Sequence, residues 1–188
     1  MQNTAAIILA AGQGKRMNST TPKVLHKILG RSLISFPLSL VERAGCKKVV
    51  VVVGHGIEKV QAEVSDLDKT KCVSFAVQSE QRGTGHAVMC ALPNLAEHTG
   101  PILILSGDVP LLDDESLKAL NCEFQKSKTM AMLTFVPADP SGYGRIIRRD
   151  GFPVAIREHR DCLSEELKIP EVNAGVYMID SDFLRSGV

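Results

Sequence analysis

Runs of consecutive apolar residues recur along this chain at intervals long enough to hold a helix. They occupy residues 5–10, 49–53, 73–77, 102–105, 130–136 and 174–179. A continuous apolar run, unlike an alternating one, is typical of a strand buried on both faces, as in a parallel sheet. Two intervening stretches, residues 34–44 and 84–95, have helix-like patterns. The chain is therefore predicted to form an open α/β sheet, mainly parallel, with helices on both faces.

One segment departs from this pattern. Residues 142–156, GYGRIIRRDGFPVAI, contain two short apolar stretches around Asp150-Gly151, a dipeptide that favours the tight turn of a β-hairpin. The rest of the chain is predicted to form an open α/β sheet. In such sheets, ligands bind beyond the carboxyl ends of the strands. Residues that directly follow the apolar runs are therefore candidates for a functional site.

The composition argues against several classes of protein. The 188 residues, 44% hydrophobic and 23% charged, suit one globular domain spanning the chain. A net charge of +1 and the absence of tryptophan argue against nucleic-acid binding. No secretion signal or bilayer-spanning run is present, so a cytoplasmic protein without membrane insertion is expected. The five dispersed cysteines are interpreted as reduced and mostly buried, and the five dispersed histidines as structural or exposed.

The loop after the first run, LAAGQGKRM at residues 9–17, combines small residues with cations. Its glycines let backbone N–H groups approach a ligand closely, and Arg16 and Lys23 add positive charge. Met17 replaces the third glycine of a dinucleotide fingerprint, and Pro22 interrupts the helix that this fingerprint needs. The pattern favours a polyphosphate-binding loop, and the alternative is a surface turn with solvated cations.

Two further segments follow apolar runs. Asp108 comes just after the fourth run, where a lone carboxylate suits Mg²⁺, which keeps substrate phosphates and water among its ligands. The alternative for Asp108 is a turn or helix cap. Gln78 follows the third run and offers an amide to the edge of a nucleobase, close to Gly83. The alternative is a glycine-rich helix start capped by Thr84.

Taken together, these stretches resemble the sugar-nucleotide pyrophosphorylases. The resemblance is strongest to the N-terminal uridylyltransferase domain of the bacterial bifunctional UDP-N-acetylglucosamine pyrophosphorylase/glucosamine-1-phosphate acetyltransferases. The matching stretches, in the family's order from residue 9 to 177, are LAAGQGKRM, PKVLH, VVGHG, QSEQRGTGHAV, SGDVPLL, GYGRI, EHRD and NAGVY. The resemblance implies a three-layer Rossmann-like nucleotidyltransferase fold with a small β-hairpin insertion.

The resemblance also implies an activity and a set of site residues. The activity is Mg²⁺-dependent transfer of UMP from UTP to N-acetylglucosamine 1-phosphate, which yields UDP-N-acetylglucosamine and pyrophosphate for cell-wall precursors. The implied residues are Arg16 and Lys23 for catalysis; Leu9, Ala10, Ala11, Gly12 and Gly14 around uridine and phosphate; Gln78, Gly83 and Thr84 for uracil; Asp108 for Mg²⁺; and Gly142, Glu158 and Asn173 for the sugar phosphate.

The sequence departs from the family pattern at three places. Ser106 replaces a frequent aromatic residue, and Ala174 alters the turn after Asn173. The chain also stops at Val188, before the family's second metal ligand and its β-helix acetyltransferase domain, through which full-length relatives are expected to form trimers. The domain is therefore expected to be incomplete at its C-terminus. Two alternatives stay open: a nucleotide-binding but inactive domain, and another nucleotidyltransferase such as a molybdenum-cofactor guanylyltransferase.

Overall fold

The structure, a computed structural model, describes residues 3–12, 14 and 17–187. These residues divide into two compact units, the first within residues 1–131 and 177–188 and the second at 132–176. That the whole chain acts as one domain stays a prediction. None of the helices formed by the described residues has the length and apolar character needed to cross a bilayer.

Ten strands and five α-helices make up the described part of the chain. The strands are β1 (Ala5–Leu9), β2 (Lys27–Ile28), β3 (Arg31–Ser32), β4 (Lys48–Val53), β5 (Val73–Val77), β6 (Pro101–Ser106), β7 (Met130–Phe135), β8 (Arg145–Arg149), β9 (Phe152–Arg157) and β10 (Val172–Asp180). The helices are α1 (Ser35–Arg43), α2 (Ile57–Leu67), α3 (Thr84–Ala91), α4 (Asp114–Ser127) and α5 (Ser181–Gly187). Each apolar run singled out in the sequence forms a strand.

The first unit is built on a mainly parallel sheet, as predicted. Four parallel strands lie in the order β5-β4-β1-β6, so β1 pairs with both β4 and β6. The end of β10, from Tyr177 to Asp180, pairs antiparallel with β6. A parallel pair needs a crossover of a dozen or more residues, and α1, α2 and α3 lie in the connections that supply it.

Helices cover both faces of this sheet. All five valines of β4 are at most 2% exposed, as expected for a strand buried on both sides. Val50 and Val52 belong to a core with Ala91 of α3 and Leu184 of α5. Because side chains alternate along a strand, Val51 faces the other side, where α1 contacts β1 and α2 contacts β4. The predicted fold class is confirmed in these features.

The second unit contains the predicted hairpin of β8 and β9. Its turn is Asp150-Gly151, and both residues have positive φ, 51° and 81°, which this class of hairpin turn requires. The start of β10 pairs with β8 at Val172 and Arg145. Arg145 is 1% exposed and donates from Nη1 to the carbonyl oxygens of Pro140 (2.6 Å) and Tyr143 (2.7 Å), which fastens the preceding loop to the hairpin.

The expectation that the cysteine thiols are mostly buried is wrong. Cys46 is buried, Cys72, Cys90 and Cys162 are partly buried, and Cys122 on α4 is exposed. All five are free thiols. The dispersed sequence positions could not show that Cys122 lies on the solvent side of its helix. Burial raises the pKa of the Cys46 thiol to about 11, which disfavours its reactive thiolate.

Alkylation of the native protein is therefore expected to modify Cys122 well before Cys46. Peptide mapping by mass spectrometry after brief treatment with iodoacetamide measures both sites. Cys122→Ser serves as the control, because it removes the fast site and leaves the slow one. Labelling of Cys46 at the rate of Cys122 in the folded protein would contradict the burial seen here.

Candidate functional site

A cleft of about 330 Å³ lies at the carboxyl ends of the parallel strands of the first unit. Its volume is within the range of small-molecule sites. Nine residues singled out in the sequence line it: Leu9, Ala10, Ala11, Gly12, Lys23, Gln78, Gly83, Thr84 and Asp108. Four others that were not proposed as ligand contacts also line it: Val24, Gln81, Ala87 and Ser106. In the sequence, these four residues could have been identified only by their position next to proposed residues or at a strand end.

Backbone hydrogen bonds beyond the strand ends bring the separate segments together. Ala10 N donates to Val52 O, Gln78 N to Val53 O, and Gly107 N to Leu9 O, each at 2.8 Å. These bonds extend the parallel ladder past its last strand residues. The residues that follow β1, β5 and β6 consequently lie side by side at one edge of the sheet.

Two glycines permit this close approach. A Cβ on Gly107 would lie 3.1 Å from Leu9 O, and a Cβ on Gly54 would lie 3.0 Å from Ala11 O. Both distances are tighter than most Cβ contacts, so a side chain at either position would push the neighbouring strand end away. The shape of the cleft floor therefore depends on these glycines.

Asp108 has a protein partner for each carboxylate oxygen. Lys23 forms an ion pair with Oδ2, and Ser106 Oγ donates to Oδ1 at 2.5 Å. The side chains of Asp108 and Lys23 are 19% and 44% exposed. Burial alone would raise the pKa of the Asp108 carboxyl, but the hydrogen bonds from Lys23 and Ser106 and the charge of Lys23 outweigh it and lower that pKa. Asp108 is thus an anion at neutral pH.

The donor set at Asp108 suits a cation that arrives with its own ligands. The described residues contain no group of three or more His, Cys, Asp or Glu side chains that could enclose a metal ion. Mg²⁺ commonly takes one or two protein carboxylates together with phosphate oxygens and water. A single carboxylate beside a hydroxyl group, at the open edge of a cleft, fits Mg²⁺ bound together with a polyphosphate.

Gln78 lies in the same cleft and is 4% exposed. Its Nε2 donates to Gly83 O at 3.0 Å and lies 3.1 Å from His86 Nδ1. Gly83, with a φ of 96°, precedes the first residue of α3 and occupies the cap position that the alternative interpretation gave to Thr84. The amide of Gln78 is therefore held by the start of a helix rather than by solvent.

The two remaining proposed residues of the first loop are Arg16 and Gly14. Arg16 lies outside the described residues. Gly14 does not line the cleft, but a Cβ on it would lie 2.9 Å from Lys23 Cβ, and its φ is 60°. The backbone at Gly14 consequently packs directly against the side chain of Lys23.

The three proposed sugar contacts belong to the second unit. Asn173 N donates to Gly144 O, and Asn173 Oδ1 accepts from Gly175 N, both at 2.9 Å. A Cβ on Gly144 would lie 3.7 Å from Glu158 Oε1, and Gly142 has a φ of 82°. Gly144 therefore adjoins both Asn173 and Glu158. The roles of Gly142, Glu158 and Asn173 stay predictions.

Comparison with known proteins gives matches over nearly the whole chain. The family model for the MobA-like NTP transferase domain matches residues 6–177. The Bifunctional protein GlmU of Syntrophotalea carbinolica is 47% identical over 181 residues, covering 96% of this chain and 38% of that protein. That of Sorangium cellulosum is 48% identical over 187 residues, covering 95% and 39%. This chain thus spans about two fifths of the length of these curated relatives, and the resemblance inferred from the motifs is confirmed.

Solved structures agree on the fold. The structure of UDP-glucose pyrophosphorylase complexed with UDP-glucose matches with a TM-score of 0.79 at 19% sequence identity. The match covers 97% of this chain and 78% of that chain. The apo form of UDP-glucose pyrophosphorylase has a TM-score of 0.77, also at 19% identity. Likeness at this level of identity concerns the fold, and it confirms the predicted α/β nucleotidyltransferase fold.

Proposed function

We propose that this chain, which belongs to the MobA-like NTP transferase domain family, transfers UMP from UTP to N-acetylglucosamine 1-phosphate. The products are UDP-N-acetylglucosamine, a cell-wall precursor, and pyrophosphate. The single observation that supports this most is the cleft in which the ion pair of Lys23 and Asp108 lies beside the small-residue loop and Gln78. The sequence identity of 45–48% to the Bifunctional protein GlmU of three bacteria also supports it.

The proposed reaction is an in-line displacement. A phosphate oxygen of the sugar phosphate attacks the α-phosphorus of UTP, and the bond to the bridging oxygen of pyrophosphate breaks. Such a step needs positioning and charge neutralisation more than an acid or a base. The backbone N–H groups at Ala11 and Gly12 and the ammonium of Lys23 are proposed to hold phosphate oxygens, and Arg16 is proposed to assist them.

The remaining residues fix the two substrates. Asp108 would hold Mg²⁺, which supplies positive charge to the phosphates when it is bound. Gln78 and Gly83 are proposed to contact uracil at the start of α3, with Thr84 beside them. Gly142, Glu158 and Asn173 are proposed to contact the sugar phosphate. A cytoplasmic location, and trimeric assembly of longer relatives, are part of the same proposal.

Pyrophosphate release from UTP is the direct test of this function. Release is expected only when N-acetylglucosamine 1-phosphate and Mg²⁺ are both present, and it is measured by a coupled pyrophosphatase assay. Omission of each component in turn is the control.

Two results would contradict the proposal. A preference for GTP over UTP would favour the alternative of a guanylyltransferase. Tight UTP binding by calorimetry without turnover would instead indicate a nucleotide-binding domain without activity.

A further inference from the structure

Two groups hold the Gln78 side-chain amide, and the first is a carbonyl group. Gly83 O lies 3.0 Å from one terminal atom of this amide. A carbonyl oxygen only accepts hydrogen bonds, so the atom facing it is the nitrogen of the amide. The opposite orientation would place two oxygens at hydrogen-bond distance with no proton between them. Because Gln78 is 4% exposed, water cannot easily relieve that repulsion.

The same nitrogen also determines the protonation of His86. Nε2 of Gln78 has no acceptor capacity, and it lies 3.1 Å from His86 Nδ1. His86 Nδ1 must therefore accept, which makes His86 a neutral imidazole with its proton on Nε2. That Nε2 lies 3.9 Å from Cys90 Sγ, one helical turn further along α3, where the sulfur can accept weakly.

These two contacts use both amide hydrogens of Gln78. Gly83 O takes one and His86 Nδ1 takes the other. Neither contact engages Oε1, so Gln78 offers the cleft an acceptor and no donor. A base whose ring nitrogen at the pairing edge carries a hydrogen, as N3 of uracil does, matches this acceptor. Cytosine presents a bare nitrogen at the same place, and two acceptors would face each other.

We propose that His86 is a positioning residue that acts through Gln78 to make the cleft select nucleobases with an N–H on the ring nitrogen of the pairing edge and reject cytosine, whose N3 carries no hydrogen. The inference rests on the proposed function, because it assumes that the base of the nucleotide lies at Gln78. It assigns His86 a role in specificity without contact to the substrate. It also predicts which of the two imidazole nitrogens bears the proton in the ligand-free protein.

The protonation state is measured directly by NMR of ¹⁵N-labelled protein. Two-bond ¹H–¹⁵N correlations are expected to show His86 as a neutral ring with its proton on Nε2. The assignment is made by loss of the signal in His86→Leu. A proton on Nδ1, or a doubly protonated ring at neutral pH, would overturn the inference whether or not the protein binds nucleotides.

Nucleotide discrimination is the second measurement. Calorimetry is expected to show UTP binding about tenfold or more tightly than CTP, because CTP would leave a buried acceptor unpaired. In His86→Leu the second amide hydrogen loses its acceptor and becomes available to the bare ring nitrogen of cytosine, so the UTP-to-CTP ratio is expected to fall to about twofold. His55→Leu is the matched control, because His55 is exposed and does not line the cleft.

The outcomes separate the two proposals. An unchanged UTP-to-CTP ratio in a folded His86→Leu protein would overturn the role of His86 and leave the proposed function standing. Failure of the unmodified chain to bind either nucleotide would overturn the proposed function and the inference together. Far-UV circular dichroism verifies the fold of each variant, and the NMR measurement keeps the inference testable if His86→Leu does not fold.

Discussion

Replacing Asp108 by asparagine is expected to lower the rate of nucleotidyl transfer by about 10²- to 10³-fold. Asparagine keeps the size of the side chain, and its Oδ1 can still accept from Ser106. It removes the negative charge that pairs with Lys23 and that would hold Mg²⁺ against the phosphates. The change is measured as kcat for pyrophosphate release at saturating UTP, sugar phosphate and Mg²⁺.

The fold of Asp108→Asn is expected to stay intact. Lys23, its ion-pair partner, is 44% exposed, and a partly exposed pair contributes little to stability because water screens it. A binding measurement complements the kinetics: electron paramagnetic resonance is expected to show weaker retention of Mn²⁺ by the UTP-bound variant than by the unmodified protein. Equal retention in both would contradict the assignment of Asp108 as the cation ligand.

Asp114→Asn is the matched control for this substitution. Asp114 is an exposed carboxylate on α4 that pairs with Arg43 at 3.1 Å and does not line the cleft. Its replacement is expected to leave kcat within about twofold, since surface ion pairs are worth little. Equal losses in the two variants would indicate a general effect of charge, and unchanged turnover in Asp108→Asn would exclude the proposed role of that carboxylate.

Replacing Leu103 by alanine is expected to lower the free energy of unfolding by about 2–5 kcal/mol. Leu103 is fully buried in β6, between Ala6 of β1 and Met178 of β10. Truncation leaves a cavity between a sheet and its covering helices, and strands paired on both sides cannot close around it. Urea unfolding followed by circular dichroism gives the change in free energy and also the m-value, which is expected to stay constant.

Leu111→Ala is the control for this effect. Leu111 is 93% exposed in the segment between β6 and α4, so the same truncation removes almost no buried surface. Its free energy of unfolding is expected to change by less than about 0.5 kcal/mol. Similar values for the two variants would show that β6 is not the central, tightly packed strand described here.

The sequence was sufficient for the six strands formed by apolar runs, for the hairpin and for the edge of the sheet that holds the cleft, but it did not predict the short strands β2 and β3. The valine run at β4 predicted burial on both faces because no polar side chain interrupts it. Asp150-Gly151 predicted its turn because both residues tolerate positive φ. The position of Asp108 directly after β6 placed it at the ligand edge, since parallel strands end on one side. Each of these signals is local, so it is complete within a few residues.

Only the tertiary structure showed which side chains meet and in what state. Lys23 and Asp108 are far apart in the sequence, and the packing of the segment around Val24 against Gly107, at the end of β6, brings them together. Ser106 departs from the family pattern, yet the same strand end directs its hydroxyl to Asp108. His86 was interpreted as structural or exposed, but the start of α3 sets it against Gln78. Hydrogen-bond partners depend on distances of a few tenths of an ångström, which residue types and spacing do not specify.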